Sequence, residues 1–419
     1  MQSIQNFIEK VIENHILNME HENYKKLEII IGREKLEKLS FYLETSQNEQ
    51  FTLFLNEILE SKEIKVEVNS LLEEDMIERD EDIEKDMNPN GKTCKLFYGT
   101  NREPKDINNL SKGYGNERAK KIHMGSCEVH VPKSHKIGEI SGSLWEKLIH
   151  FDFSYGKVEL KTIQPLTTDA FWSEISTLLS PLEEEEKQAL IFIHGFNTSF
   201  DDAAIRATQL SVDLNHSGVT AFFSWASQAK ALSYLSDEAT IQYTEKYLTK
   251  FLTDFATKSG ANRIHIVAHS MGNRALLEAV NRIQKENLNI KFGQIILAAP
   301  DVDADVFEEL AEAYSIVSEQ TTLYVSDKDK AVSLSKWIHA YNRVGFTPPV
   351  AVVNRINTIK IEGNVNLLEL GHGYFASHKA LLSDIYQLIN FNLDANNRDY
   401  LIPKRVDNIN NYWKLKSAD

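Results

Sequence analysis

The sequence predicts an α/β protein in which a mostly parallel sheet is covered by helices on both faces, with a small helical domain in front of it. Three observations lead there. From Ala189 onward, short apolar runs of strand length alternate with longer segments of helical spacing, the pattern of repeated β–α units. Before residue 90 the spacing is helical alone. Between the two, MNPNG at Met87–Gly91 gathers Pro, Gly and Asn into a boundary signal. The expected domains are therefore residues 1–88 and 91–419.

The elements follow in order. Ile4, Phe7, Ile8, Val11, Ile12, Ile16 and Met19 recur at three- and four-residue steps, which is one apolar face of a helix. Leu27, Ile30 and Ile31, then Leu36 and Leu39, continue in this way. QFTLFLNEILES adds Phe51, Phe54, Leu55, Ile58 and Leu59, making a module of roughly three helices. Nine of the fourteen residues from Glu73 to Asp86 are acidic. They read as a solvated linker or helix face, the sharper alternative being an acidic docking segment for a basic partner. KTCKLFYGT, IHMGSCEVHVP and KVELKTIQPL are then β-rich and separated by Gly, Pro and Asn. After them come ALIFIHG as a strand, DDAAIRATQLSVDL as a helix, VTAFFSWA as a strand and EATIQYTEKYLTKFLTDFATK as a helix. RIHIVA and FGQIILAAP are strands with MGNRALLEAVNRIQKE between them, and DADVFEELAEAYSIV leads into the strand TTLYVS. NTIKIEG is a last strand and FASHKALLSDIYQLINF a last long helix.

Composition narrows the function classes. The 419 residues are 42% hydrophobic with a net charge of −15, enough apolar matter for a large core and the wrong sign for nonspecific nucleic-acid binding. The acidity is uneven: Met1–Asn90 holds 22 acidic and 10 basic residues, so the remainder is nearly neutral. Cys94 and Cys127 are the only cysteines and make neither a disulfide scaffold nor a CxxC metal motif. MQSIQNFIEKVIENH lacks the basic start and apolar run of a secretory signal, and no uncharged apolar stretch reaches the ~20 residues a membrane span needs. A soluble, cytoplasmic location is the expectation.

The chemistry gathers at RIHIVAHSMGNRALLEAV, Arg263–Val280. A strand breaks here into an amphipathic helix with Ser270 at the break. A tight strand-to-helix turn strains the serine backbone and lifts its Oγ clear of the sheet. Small residues two before and two after let strand and helix pass: Gly272 supplies one, and Ala268 stands where glycine is usual. The new helix directs its free N–H groups at the serine. The plain reading of such a serine is a helix N-cap.

A nucleophilic serine needs a base, and the base an orienting carboxylate. In the chain order serine, acid, histidine, TTLYVS is followed by Asp327 and Asp329, and GHGYF places His372 between two glycines before the last helix. Ser270, Asp329 and His372 fit in order and location. Asp327 is the nearest rival for the acid. Asp301, Asp303 and Asp305 are others, with capping as their plainer role. His378 reads as a surface or capping residue, His339 as structural, and His265 and His269 as packed. For the anion formed on attack, one donor is the Met271 N–H. The second is the Phe196 N–H in His194-Gly195-Phe196-Asn197, where Gly195 allows close approach. Trp225 and Tyr234, with Phe196 and Phe200, are candidate apolar walls of a substrate pocket, core packing being the alternative. Ala226–Ala239 is a candidate cap.

From about Lys95 to Trp413 the chain resembles the α/β-hydrolase family of unknown function 900 (DUF900), esterase- and lipase-like bacterial proteins. The resemblance is carried by LFYGTNR, CEVHVPKSHKIGEI, FIHGFNTSF, FFSWAS, HIVAHSMGNRALLEA, LAAPDVDADVF, LYVSDKDKAVSLS and GHGYF. The AHSMG form of the turn is also similar to that of certain bacterial lipases. FFSWAS departs from the family in having Ala226 where a proline is usual. The resemblance implies an α/β-hydrolase fold, Ser270, Asp329 and His372 as the triad, and a serine hydrolase acting on an ester, thioester or lipid acyl bond without metal or organic cofactor. The alternative is a binding or scaffold protein, or an assembly-regulated effector, whose N-terminal helical domain recruits a protein partner.

Overall fold

The computed structural model describes residues 22–44, 48–61, 92–131, 158–229, 233–326, 341–361, 375–405 and 411–416, with single positions at 8, 11, 12, 64, 67 and 68. Contacts divide the chain into two compact units, one of Met1–Pro89 with Phe153–Gly156 and one of Asn90–Asp152 with Lys157–Asp419.

In the first unit, helices α1 (Glu22–Ile31), α2 (Arg33–Glu44) and α3 (Asn48–Ile58) bury the residues that the helical spacing marked. Leu27, Ile31, Leu36, Leu39, Phe51, Leu55 and Ile58 form one core with Ile8, Val11 and Ile12. Gly32 divides α1 from α2 at φ +87°, a backbone angle open to glycine without steric cost.

The second unit is built on an eleven-stranded sheet. Its strands are β1 (Lys92–Pro104), β2 (Tyr114–Val131), β3 (Glu159–Leu166), β4 (Gln188–Ile193), β5 (Val219–Ser224), β6 (Arg263–His269), β7 (Phe292–Ala298), β8 (Ser318–Ser326), β9 (Asn357–Ile361), β10 (Leu401–Arg405) and β11 (Asn411–Leu415). The spatial order is β10-β11-β9-β8-β7-β6-β4-β5-β1-β2-β3. All neighbours from β11 to β1 pair in parallel, and the pairs β1–β2, β2–β3 and β10–β11 are antiparallel.

Side chains alternate across the pleat, so each buried strand feeds two cores. Ile191, Ile193, Ala221, Phe223, Ile266, Ala268, Ile295 and Leu297 face one layer. It contains α4 (Thr168–Leu179), α6 (Tyr234–Lys258), α7 (Gly272–Lys285), α8 (Ala304–Leu310) and α9 (Glu312–Val317). Leu190, Phe192, Phe222, Val267 and Ile296 face the other, which holds α5 (Phe200–Asp213) and α10 (Phe375–Phe391). The doubly covered, mostly parallel sheet agrees with the expectation from the alternating segments.

The differences are local. Helix α4 was not foreseen, although Phe171, Trp172, Ile175 and Leu179 are buried along one face and Thr167 caps it by accepting from Ala170 N–H. The segment DADVFEELAEAYSIV divides into α8 and α9 around Ala311. LIPKR and NYWKL pair as β10 and β11 at the sheet edge, being too short and polar to carry a period-two signal. Cys94 and Cys127 are both free thiols.

Candidate active site

Seven consecutive parallel strands, from β9 to β1, end at one edge of the sheet, the edge where ligands bind in open α/β sheets. Ser270 leaves β6 at that edge with φ +47°. This left-handed conformation costs a side-chain-bearing residue roughly 1–2 kcal/mol. It is held by a closed set of backbone bonds. Ser270 N–H donates to Ala298 O at 2.9 Å, and Ser270 O accepts from the Asn273 and Asp301 amides, both at 3.1 Å. Asn273 Nδ2 also donates to Ser270 O and Ala268 O, both at 3.1 Å. The helix N-cap position belongs to Met271, with no side-chain capping bond, so Ser270 is not there to cap α7. Ala268 is fully buried, and its methyl group fits beneath the turn.

Two glycines set the spacing. A Cβ on Gly272 would lie 2.5 Å from His194 O and 3.1 Å from Ile193 O, so α7 rests directly on the end of β4. A Cβ on Gly195 would meet His269 Nδ1 at 2.9 Å and Ser270 Cβ at 3.0 Å. The loop bearing Phe196 is thus pressed against the serine turn bearing Met271. As the residue opening α7, Met271 presents an N–H with no acceptor on its own helix, at the positive end of the helix dipole.

The loop from His194 to Ser199 is braced at both ends. At its far end, Ser199 Oγ accepts from Asp202 N–H at 3.1 Å and Asp202 Oδ2 accepts from Ser199 N–H at 3.1 Å, a capping box that fixes the start of α5. At its near end, His194 is fully buried and stacks on Trp225 at 5.1 Å and 11°. Trp225 Nε1 donates to His194 O at 2.7 Å, and Trp225 N–H donates to His194 Nε2 at 3.1 Å. Burial, then the nearby Arg102 charge, holds the His194 imidazole well below its ordinary pKa.

Of the residues expected to line a pocket, Tyr234 lies edge-on to Phe196 with ring centroids 5.4 Å apart, and its hydroxyl donates to Asp301. Trp225 has no exposed surface and serves as the tile under His194. Phe200 belongs to the core on the opposite sheet face, against Tyr98. Within Ala226–Ala239, residues 230–232 lie outside the described residues, and Tyr234 onward is already helix α6.

Asp301 is buried and engaged by Tyr234, by Arg274 Nη2 at 3.1 Å and by Arg343 Nε at 3.5 Å. Asp303 caps α8 by accepting from the Asp305 and Val306 amides. His265 is packed, bridging Gln188 Oε1 and the Gln294 amide. His269 has both ring nitrogens sealed from solvent and without hydrogen-bond partners among the described residues, and burial pushes its pKa down to about 3. Asp327, Asp329, His339 and His372 lie outside the described residues, as does the side chain of His378. Strands β8 and β9 nevertheless end at Ser326 and Ile361, on the same edge as Ser270, and these are the strands the chain leaves before Asp329 and His372.

Residues the sequence reading gave no role include Arg102, Asp237, Asn273 and Arg274. Arg102 stood in the LFYGTNR motif and the last two follow the serine, but nothing in one sequence distinguishes a buried brace from a surface residue. A cavity of about 190 Å³ lined by Asp303, Ala304, Asp305, Tyr341 and Asn342 does not include Ser270 among its walls. Among the described residues no group of three or more His, Cys, Asp or Glu side chains is placed to hold a metal ion, and no helix is long and apolar enough to cross a membrane.

No curated protein matches the chain significantly in sequence. Among solved structures it is similar to a predicted CIB-like hydrolase from Thermoplasma acidophilum, at 17% identity over 51% of this chain and 90% of that one, with a TM-score of 0.30. It is also similar to an uncharacterized protein from Bacillus cereus ATCC 10987, at 16% identity over 51% and 62%, TM-score 0.33. A third is MenH from S. aureus, at 12% identity over 49% and 91%, TM-score 0.26. The model of the family described as alpha/beta hydrolase of unknown function (DUF900) matches residues 169–390, a narrower span than Lys95 to Trp413 but more than half of the chain, and the protein belongs to that family.

Proposed function

We propose that the protein is a serine hydrolase that cleaves carboxylic ester, thioester or lipid acyl bonds. The observation that carries this reading is Ser270 held at φ +47° between β6 and α7, with the Gly195–Phe196 backbone pressed against it. The strain has no capping role to explain it, and strained backbone maintained by its surroundings is a mark of functional sites.

In this reading Ser270 Oγ attacks the substrate carbonyl carbon while His372 takes the hydroxyl proton. The Met271 and Phe196 amides hold the resulting oxyanion. The tetrahedral intermediate collapses, its bond to the leaving group breaks, and His372 returns the proton to that group. Water, deprotonated by His372, then attacks the acyl-serine and regenerates Ser270. Asp329 keeps the imidazole in the tautomer that accepts at the nitrogen facing the serine.

A fluorophosphonate probe tests the proposal, because it phosphonylates only an activated serine. Labelling of the full chain that disappears in Ser270→Ala is the expected result. Well-folded wild type that resists labelling would refute it. A series of p-nitrophenyl esters of increasing acyl length, run with a lipid panel, then sorts the substrate classes.

A further inference from the structure

Resting on the proposed serine-hydrolase reading, we infer that His194, itself braced by Arg102, is the positioning residue that turns the Phe196 amide toward the oxyanion. The argument begins with which His194 nitrogen carries the proton. Nε2 faces the Trp225 N–H at 3.1 Å, Ser224 Oγ at 3.3 Å and Arg102 Nη2 at 3.5 Å. The first and last only donate, and the Ser224 hydroxyl, which accepts from Arg102 Nε, is free to donate its own proton, so Nε2 accepts and the proton resides on Nδ1. Nδ1 lies 2.7 Å from Gly195 O, and with that tautomer it donates to the carbonyl. In a trans peptide the carbonyl and the following N–H point in opposite directions. Drawing Gly195 O toward the imidazole therefore turns the Phe196 N–H the other way. The neutral tautomer persists because burial and the Arg102 charge both oppose protonation.

Arg102 makes the arrangement rigid. It is fully buried and has no carboxylate within ion-pair distance among the described residues. Its fork instead binds the surrounding chain. Nε donates to Ser224 Oγ at 2.8 Å. Nη1 donates to Gly115 O at 3.1 Å, Asn116 Oδ1 at 3.1 Å and Ser227 O at 3.0 Å. Nη2 donates to Thr198 O at 2.7 Å, two residues beyond Phe196. Asp237 supports the same loops by accepting from Ser227 Oγ at 2.6 Å, from the Gln228 amide at 2.9 Å and from the Asn197 amide at 3.5 Å. The planar five-donor fork of arginine suits this task, and a lysine ammonium cannot reproduce it.

His194→Phe keeps an aromatic ring against Trp225 but removes both nitrogens. His194→Asn keeps a donor near the position of Nδ1. With p-nitrophenyl butyrate, His194→Phe is expected to lose about 10²–10³-fold in kcat, the loss seen when one oxyanion donor is removed, with KM little changed. Its rate of fluorophosphonate labelling is expected to fall in parallel. His194→Asn recovers most of both. Arg102→Lys, measured alongside with its melting temperature, is expected to reproduce the kcat loss. If His194→Phe fails to fold, the Asn and Lys variants decide the matter by the same split between kcat and KM. A labelled, active wild type with a folded His194→Phe of equal kcat overturns this inference alone. An Asn variant as slow as Phe, with Arg102→Lys unimpaired, also overturns it. A folded wild type without labelling overturns instead the hydrolase reading on which the inference rests.

Discussion

Adding one methyl group at Gly272 tests the geometry of the site more sharply than removing the serine. The new Cβ would stand 2.5 Å from His194 O, with Ile193 Cγ2 and Ile193 O at 3.1 Å. Two of the three obstacles are backbone oxygens, of Ile193 at the end of β4 and of His194 directly after it, which cannot rotate away. A carbon in contact with a carbonyl oxygen sits about 3.3–3.6 Å from it, so α7 must retreat from β4 by roughly 1 Å. Overpacking of this kind costs about 1–3 kcal/mol. The retreat also separates Met271 on the α7 side from Phe196 on the β4 side, and a 1 Å misplacement of reacting groups costs on the order of 10² in rate. Gly272→Ala is therefore expected to melt several degrees lower and to lose about 10²-fold in kcat. Calorimetry and p-nitrophenyl butyrate turnover measure the two effects separately. A variant with unchanged melting temperature and wild-type turnover would show that the helix is not seated on β4, and the account of the anion site would fall with it.

Three other outcomes follow from the same contacts. Because Ser270 occupies φ +47°, Ser270→Gly is expected to be more stable than Ser270→Ala by about 1 kcal/mol, with both inactive, as chemical denaturation and ester turnover will show. Arg398 Nη1 and Tyr324 Oη both donate to Asp384 Oδ2, at 3.0 and 2.6 Å, and all three side chains are buried. Arg398→Met leaves the Asp384 charge without its cation, so a loss of about 3–5 kcal/mol in urea unfolding is expected. Burial, reinforced by Glu278, raises the Glu245 carboxyl to about 7. The folded chain then holds a proton that the unfolded chain releases between the ordinary carboxylate value and that pKa, and this group makes stability fall as pH rises through the window. Glu245→Gln should accordingly raise the melting temperature at pH 8 and leave it unchanged at pH 4; an equal effect at both would refute the assignment.

Strand and helix periods in Ala189–Phe391 sufficed to read the parallel core of the sheet and most of its covering helices, because each buried strand is a continuous apolar run and each helix shows one apolar face. The serine turn was legible for a related reason. AHSMG sits where one period gives way to the other, and Gly272 proved to be required by a contact with the β4 backbone. The edge hairpin β10–β11 escaped notice because its ten residues include few buried ones. Asp301 illustrates an ambiguity the sequence left open: only in three dimensions is its carboxylate seen taken up by Tyr234 and two arginines.

What the sequence determined by itself was therefore periodic or local: the β–α alternation, the acidic N-terminal block, and a serine between small residues at a break. What the tertiary structure decided was which distant groups meet. Gly195 abuts Ser270 because β4 and β6 are neighbours across a gap of some seventy residues in sequence. Arg102 reaches Thr198, Ser224 and Ser227 because β1 lies beside β5 at the same end of the sheet. Periodicity records how a segment meets solvent and core, and it is silent on which segment lies alongside. That information enters only with strand order, and here strand order turns a histidine and an arginine of unremarkable local context into the supports of one loop.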